Sequence, residues 1–225
     1  NDVIDAPRDR TIGRRDKPLT ADGAPVRAAW ISAFVAAIVA LALSAALGWG
    51  LALAHAVFLA SGWAYNARLK STIWSAACFV VGFGTFPSLA FLALPDPRVA
   101  PLWAWIAGAT LGVAIHFSNV LPDLEDDART GVRGLPHRIG ARGSSIIAFG
   151  ALIAGAAAAV VGPALAAGAP VAATSWAAGG AVVAVSAWGL TATITRGPSR
   201  LSFRLVMLSA LLLAAQLVVT TWLGR

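Results

Sequence analysis

Charge is scarce in this sequence. Only 12% of its 225 residues are Asp, Glu, Lys or Arg and 58% are hydrophobic, whereas soluble domains average about 25% and about 45–50%. That balance excludes a water-soluble globular domain and points to an integral membrane protein. Cysteine occurs once, as Cys78 in an apolar run, so no internal disulfide exists; the residue reads as a small buried hydrophobe. The sequence also lacks a Gly-rich phosphate loop, a dinucleotide fingerprint, His-Glu-x-x-His, Cys-x-x-Cys and Gly-x-Ser-x-Gly, so the chemistries those motifs serve have no support. No signal-peptide pattern is present, and no repeat of 20–50 residues stands out.

What is present is a series of long apolar segments, at 28–47, 50–65, 72–94, 101–121, 144–166, 170–194 and 201–223. A membrane-spanning helix needs about 20 apolar residues, and all but the second meet that length. The expected fold is therefore all-α, a polytopic helix bundle with seven spans. The net charge of +7 invites a nucleic-acid reading, but its placement argues for topology. Fifteen of the seventeen Lys and Arg fall in residues 1–27, 66–71, 122–143 and 195–204, on one side of the alternating connections, and only Arg98 and Arg225 on the other. Positive charge marks the cytoplasmic side.

Two acidic clusters lie on that side. In His116-Phe117-Ser118-Asn119-Val120-Leu121-Pro122-Asp123-Leu124-Glu125-Asp126-Asp127, four of the ten carboxylates fall within five positions. Asn119, Asp123 and Asp127 recur every four residues, the spacing that puts side chains on one helix face. The chain opens on a similar set, Asn1, Asp2, Asp5 and Asp9. Oxygen-rich groups without cysteine suit a hard cation such as Mg²⁺, which commonly completes its shell with phosphate oxygens. The alternative for either cluster is a solvated acidic turn. Pro7 and Pro122 interrupt the two clusters and argue against an unbroken helix through either.

Together the clusters resemble the UbiA superfamily of intramembrane prenyltransferases, whose aspartate-rich motifs read NDxxDxxxD and DxxxD. After the second motif Arg129, Gly131, Leu135 and Pro136 fit the family's basic-Gly-Thr-Leu-Pro continuation, with Gly134 where threonine is usual. The resemblance covers nearly the whole chain and implies a single domain over residues 1–225, with two further helices before residue 1. It implies Asp2, Asp5, Asp9, Asp123 and Asp127 as catalytic Mg²⁺ ligands, with Asn1 and Asn119 ligating or orienting. Arg14-Arg15-Asp16-Lys17-Pro18-Leu19 is similar to the basic segment after the family's first motif, and Tyr65-Asn66-Ala67-Arg68-Leu69-Lys70 to its tyrosine-to-lysine segment. Lys17, Tyr65, Arg68, Lys70 and Arg129 are thereby implied as diphosphate-binding residues. Each also has a plainer reading, as positive-inside charge or as interfacial snorkelling.

His116 at the cytoplasmic end of its segment is a candidate for the substrate pocket, or a histidine bonded to a neighbouring helix. His137 is expected to face solvent. Trp30, Trp49, Trp63, Trp103 and Trp222 lie near segment ends and read as an interfacial belt. The function expected is Mg²⁺-dependent transfer of a polyprenyl group from its diphosphate to a lipophilic acceptor in the inner or plasma membrane, without nucleic acid. Alternatives are a membrane terpene cyclase on the same scaffold and, from another class, a transporter. The Asp-Gly-x-x-Ala-Arg opening of membrane CDP-alcohol transferases is absent.

Overall fold

A computed structural model describes residues 2–11, 13, 17–21, 25–121 and 133–223, without the side chains of 220–223. The described residues are helical, with no strand among them. Helix α1 is Asp2–Thr11, α2 Val26–Leu47, α3 Trp49–Ala67, α4 Ser75–Leu92, α5 Leu102–Asn119, α6 Leu135–Ala167, α7 Ala173–Arg196 and α8 Arg200–Leu223; a 3₁₀ turn, Leu69–Ser71, lies between α3 and α4.

Five helices are long and apolar enough to cross a membrane: α2, α4, α6, α7 and α8 through Val219. Helix α2 shows why. Ile31, Phe34, Val35, Ile38, Val39, Leu43 and Leu47 are all exposed, an apolar surface left uncovered by the described residues and of the kind lipid solvates. Helices α3 and α5 are not among the five; each dilutes its apolar run with His and Asn, at His55 and Asn66 and at His116 and Asn119.

Successive helices pack on one another from α2 to α8, and α8 returns to α5 and α6. The core lies among these last four helices. Ala107, Leu111 and Ala114 of α5 recur at helical spacing against Ala148, Phe149, Leu152, Ala156 and Ala159 of α6, with Val182 of α7 and Leu205, Val206 and Leu213 of α8. With lipid as solvent, apolar burial gives little drive for helix pairing, so close packing carries it. Gly108 and Gly112, one turn apart on α5, bring the backbone of α4 within touching distance. A Cβ on Gly108 would run into the Phe83 carbonyl oxygen, and one on Gly112 would lie 2.5 Å from that of Phe79.

Two sequence expectations are corrected. Helix α1 continues through Pro7: a proline inside a helix removes one backbone bond and crowds the preceding turn, a cost this helix carries without ending. Helix α6 begins at Leu135, nine residues before the apolar segment, and bends at Gly140, whose φ of 80° favours a residue without Cβ. His137 falls in this added turn and is half-buried rather than solvent-facing.

Candidate functional site

The first aspartate cluster lies on α1. With Asp2, Asp5 and Asp9 at i, i+3 and i+7, the three carboxylates share one side, and Val3 and Ile4 take the other. Asp5 and Asp9 are buried, 7% and 2% exposed, and Ala6 between them is 2% exposed. Buried carboxylates require partners, and each has a cationic nitrogen. Lys70 Nζ pairs with Asp5 Oδ1. Arg8 Nη2 lies 3.5 Å from Asp9 Oδ1 and 4.0 Å from Asp5 Oδ2. Lys17 Nζ donates to Asp2 Oδ1 at 2.8 Å, which holds the Asp2 carboxyl below its ordinary value.

These contacts come from three parts of the chain. Residues 17–20 form a turn closed by the Thr20 N–H on the Lys17 carbonyl. Arg10 Nη2 donates to the Leu19 carbonyl at 3.0 Å, docking that turn on α1 and presenting Lys17 to Asp2. Lys70 arrives from the 3₁₀ turn after α3, where the chain reverses towards α4. Arg68, the C-cap residue of α3, is exposed.

Tyr65 and His116 meet in an aromatic cluster. The Tyr65 ring stands edge-on to Phe79 at 5.0 Å and to His116 at 5.7 Å, and His116 tilts against Phe79 at 4.7 Å. His116 is 1% exposed and its Nε2 lies 3.0 Å from Ser75 Oγ, so it is bonded to a neighbouring helix. Asn119 ends α5 with its side chain exposed. Asn1, Asp123, Asp127 and Arg129, and with them all the carboxylates of the second cluster, lie outside the described residues.

Beneath α1, Val3 and Ile4 cover an apolar groove of about 370 Å³ between Trp30 and Phe34 of α2 and Trp63 of α3. A further groove of about 470 Å³ continues from the same Phe34 and Trp63 along α2 and α3. A third cavity, about 350 Å³, opens between α3 and α4 beside Tyr65 and Phe79. An anionic helix flanked by cations, seated on apolar grooves, suits a molecule with a charged head and a long hydrocarbon tail.

Residues 1–212 match the UbiA prenyltransferase family. The chain belongs to that family. A relative from Humulus lupulus, the chloroplastic 2-acyl-4-prenylphloroglucinol 6-prenyltransferase, is 28% identical over 175 residues, 71% of this chain and 42% of the relative. The chain thus spans about two fifths of that relative's length. No solved structure matches.

UbiA membership brings Mg²⁺ into question, and the donor set can be tested against it. Among the described residues no three of His, Cys, Asp and Glu gather closely enough to hold a metal ion. The three α1 carboxylates are of the chemical kind a hard cation takes, without converging on one point. They offer only oxygen, two of them are buried, and all three already face positive nitrogen. Two residues were missed by sequence reasoning, Arg8 and Ser75. Arg8 was legible at i+3 from Asp5; Ser75 carried no local signal.

Proposed function

We propose that this chain is the catalytic membrane domain of a Mg²⁺-dependent prenyltransferase that moves a polyprenyl group from its diphosphate to a lipophilic, aromatic acceptor. The observation that carries the reading is the convergence of Lys17, Lys70 and Arg8 on Asp2, Asp5 and Asp9 of one short helix. Carboxylates and ammonium groups side by side match a diphosphate with its metal: the first hold cations, the second take free phosphate oxygens. UbiA membership supports it, and the name of the Humulus lupulus relative supports an aromatic acceptor.

Asp2, Asp5 and Asp9, with Asp123 and Asp127, would hold Mg²⁺, with Asn1 and Asn119 orienting. Bound there, Mg²⁺ supplies charge neutralisation for the departing diphosphate. Lys17, Lys70, Arg68 and Arg129 bind and orient the phosphate oxygens, while Tyr65 and His116 wall the region where the allylic carbon lies. The apolar grooves against Val3, Ile4, Phe34 and Trp63 take the tail and keep water from the cation left when the bond breaks.

In this reading α2 to α8 all cross the membrane. Lys70 meeting Asp5 supports α3 as a return crossing, because the end of α3 comes back to the helix that precedes α2. Ser75 and Leu135 meeting near His116 support the same for α5. The charge bias assigns this face to the cytoplasm.

The test is full-length protein in detergent with a panel of radiolabelled prenyl diphosphates and aromatic acceptors, with and without Mg²⁺. Label appearing in the added acceptor only with Mg²⁺ is expected. A cyclised hydrocarbon formed without acceptor would make the protein a cyclase, and no pyrophosphate release under any condition would remove the enzymatic reading altogether.

A further inference from the structure

All ten carboxylates of the sequence precede residue 128, and residues 128–225 carry eight arginines, no lysine and no acid. Five of the eight, Arg138, Arg142, Arg196, Arg200 and Arg204, stand exposed at adjoining ends of α6, α7 and α8. Two contacts join those ends. Arg142 Nη2 donates to the Ile194 carbonyl at 2.6 Å, which brings the start of α6 to the last turn of α7. Thr193 Oγ1 donates to Ser202 Oγ at 3.0 Å, which brings that turn to the first turn of α8. Arg200 and Arg204, one turn apart on α8, share a side. Among the described residues, none of the five arginines pairs with a carboxylate.

Helix stability does not account for this arrangement. Cations are favourable at a helix C-terminus and unfavourable at an N-terminus, yet only Arg196 ends a helix, while α6 and α8 have no acid in their first turns and carry the other four arginines near their starts. Sidedness in the membrane does not account for it either. That signal needs positive charge, which lysine supplies as well as arginine, whereas every cation here is arginine, whose planar fork grips two phosphate oxygens at once. Beside the arginines stand exposed aliphatic side chains, Ile139 on α6, Ile194 on α7 and Leu201 on α8. The surface thus suits a ligand with an anionic, oxygen-rich head and an apolar body next to it, which a soluble acidic partner lacks.

We propose that the adjoining ends of α6, α7 and α8 form a binding site for an anionic phospholipid. Arg196, Arg200 and Arg204 hold the phosphate of its headgroup, and its acyl chains lie against Ile194 and Leu201. Arg142 ties the start of α6 to this site through the Ile194 carbonyl and, with Arg138, adds to its positive field. A zwitterionic phospholipid brings its own cation beside the phosphate and gains less here. The bound anion offsets the mutual repulsion of the five guanidinium groups and so draws the three helix ends together. None of these residues belongs to the proposed catalytic site, so the lipid site stands whether or not the chain transfers prenyl groups.

The experiment titrates full-length protein in a non-ionic detergent with dioleoylphosphatidylglycerol, with dioleoylphosphatidylcholine, and with glycerol phosphate as a head without chains. Native mass spectrometry counts the bound molecules. Wild type is expected to bind phosphatidylglycerol more tightly than phosphatidylcholine, and to bind no glycerol phosphate at the same concentrations. Each arginine near a membrane surface contributes about fivefold to anionic-lipid affinity, so the double variant Arg200→Gln/Arg204→Gln is expected to bind phosphatidylglycerol about 30-fold more weakly. Its binding of phosphatidylcholine changes little. Arg27→Gln, which removes a charge at the start of α2 and outside the cluster, keeps the wild-type preference. Should the double variant fail to fold, Arg196→Gln carries the comparison with a loss of about fivefold. Equal affinity for the two lipids overturns the proposal, as does a preference that the cluster variants retain. A loss as large in Arg27→Gln would reduce the site to diffuse charge, and glycerol phosphate bound as tightly as the lipid would make it a site for soluble phosphate; either result refutes a lipid site.

Discussion

Lys70 pairs with Asp5 across 65 positions of sequence, joining the turn after α3 to the helix that precedes α2. Asp5 is buried, so its charge depends on a partner, and Lys70, its side chain 17% exposed, is the closest one. A cation bound at Asp5 would compete with that ammonium. Lysine here has two expected tasks: it keeps α1 seated while the site is empty of metal, and it binds phosphate once metal is present.

Lys70→Met is therefore expected to lower the unfolding midpoint without divalent ions, by about 1–3 kcal/mol of stability, since an unpaired carboxylate is left behind. Added Mg²⁺ restores much of that loss, because a metal ion replaces the missing charge. Thermal unfolding in detergent with and without Mg²⁺ checks this. A loss that Mg²⁺ leaves untouched would show that the pair is structural only.

The three α1 carboxylates are not equal. Asp5 and Asp9 are buried, whereas the Asp2 side chain is 42% exposed and its partner Lys17 is also accessible to solvent. Asp5→Asn and Asp9→Asn are expected to lower pyrophosphate release on the order of 100-fold, the scale of removing one group that stabilises developing charge. Asp2→Asn costs about tenfold less than either. Initial rates with geranylgeranyl diphosphate check the order.

Much of this was legible in the sequence, for physical reasons that differ from residue to residue. The seven apolar segments each fall on a helix, α2 through α8, and five of those helices have the length and apolar composition that lipid imposes. The i, i+3, i+7 spacing of Asp2, Asp5 and Asp9 foretold a shared side of α1, since helical periodicity is local. Pro7 misled: it lies past the first turn of α1, and the helix carries the loss of one backbone bond there. Helix α6 starts before its apolar segment because hydropathy marks the lipid boundary rather than the first hydrogen bond. Ser75 could not be read at all, since its role lies in contacts with residues 41 and 60 positions away.

Close approach of α4 and α5 gives a third prediction. Gly108→Val places side-chain atoms where the Phe83 carbonyl oxygen lies, and overpacking of this kind typically costs about 1–3 kcal/mol. Gly150→Ala, on α6 with nothing within 4 Å of its Cβ position, is expected to be neutral or slightly stabilising. The two unfolding midpoints, measured side by side, separate packing from helix propensity.

Gln216 of α8 is 2% exposed, and neither atom of its carboxamide has a hydrogen-bond partner among the described residues. It lies beside Gly179 of α7 and is no part of the proposed site. Replacing a buried polar group that lacks a partner with an apolar one of similar shape is neutral or stabilising. Gln216→Leu is thus expected to raise the unfolding midpoint, by up to about 1–3 kcal/mol, and to leave turnover unchanged. A lower midpoint would mean that the carboxamide is satisfied in the membrane.

The measurement that bears most directly on the account is divalent-ion binding with inorganic pyrophosphate, using Mn²⁺ in place of Mg²⁺ and paramagnetic resonance to count free ion. If the two acidic clusters grip one diphosphate together, pyrophosphate tightens Mn²⁺ binding to the wild type, and Asp5→Asn and Asp127→Asn each abolish that tightening. Mn²⁺ binding indifferent to pyrophosphate, or tightening that survives either substitution, would contradict it.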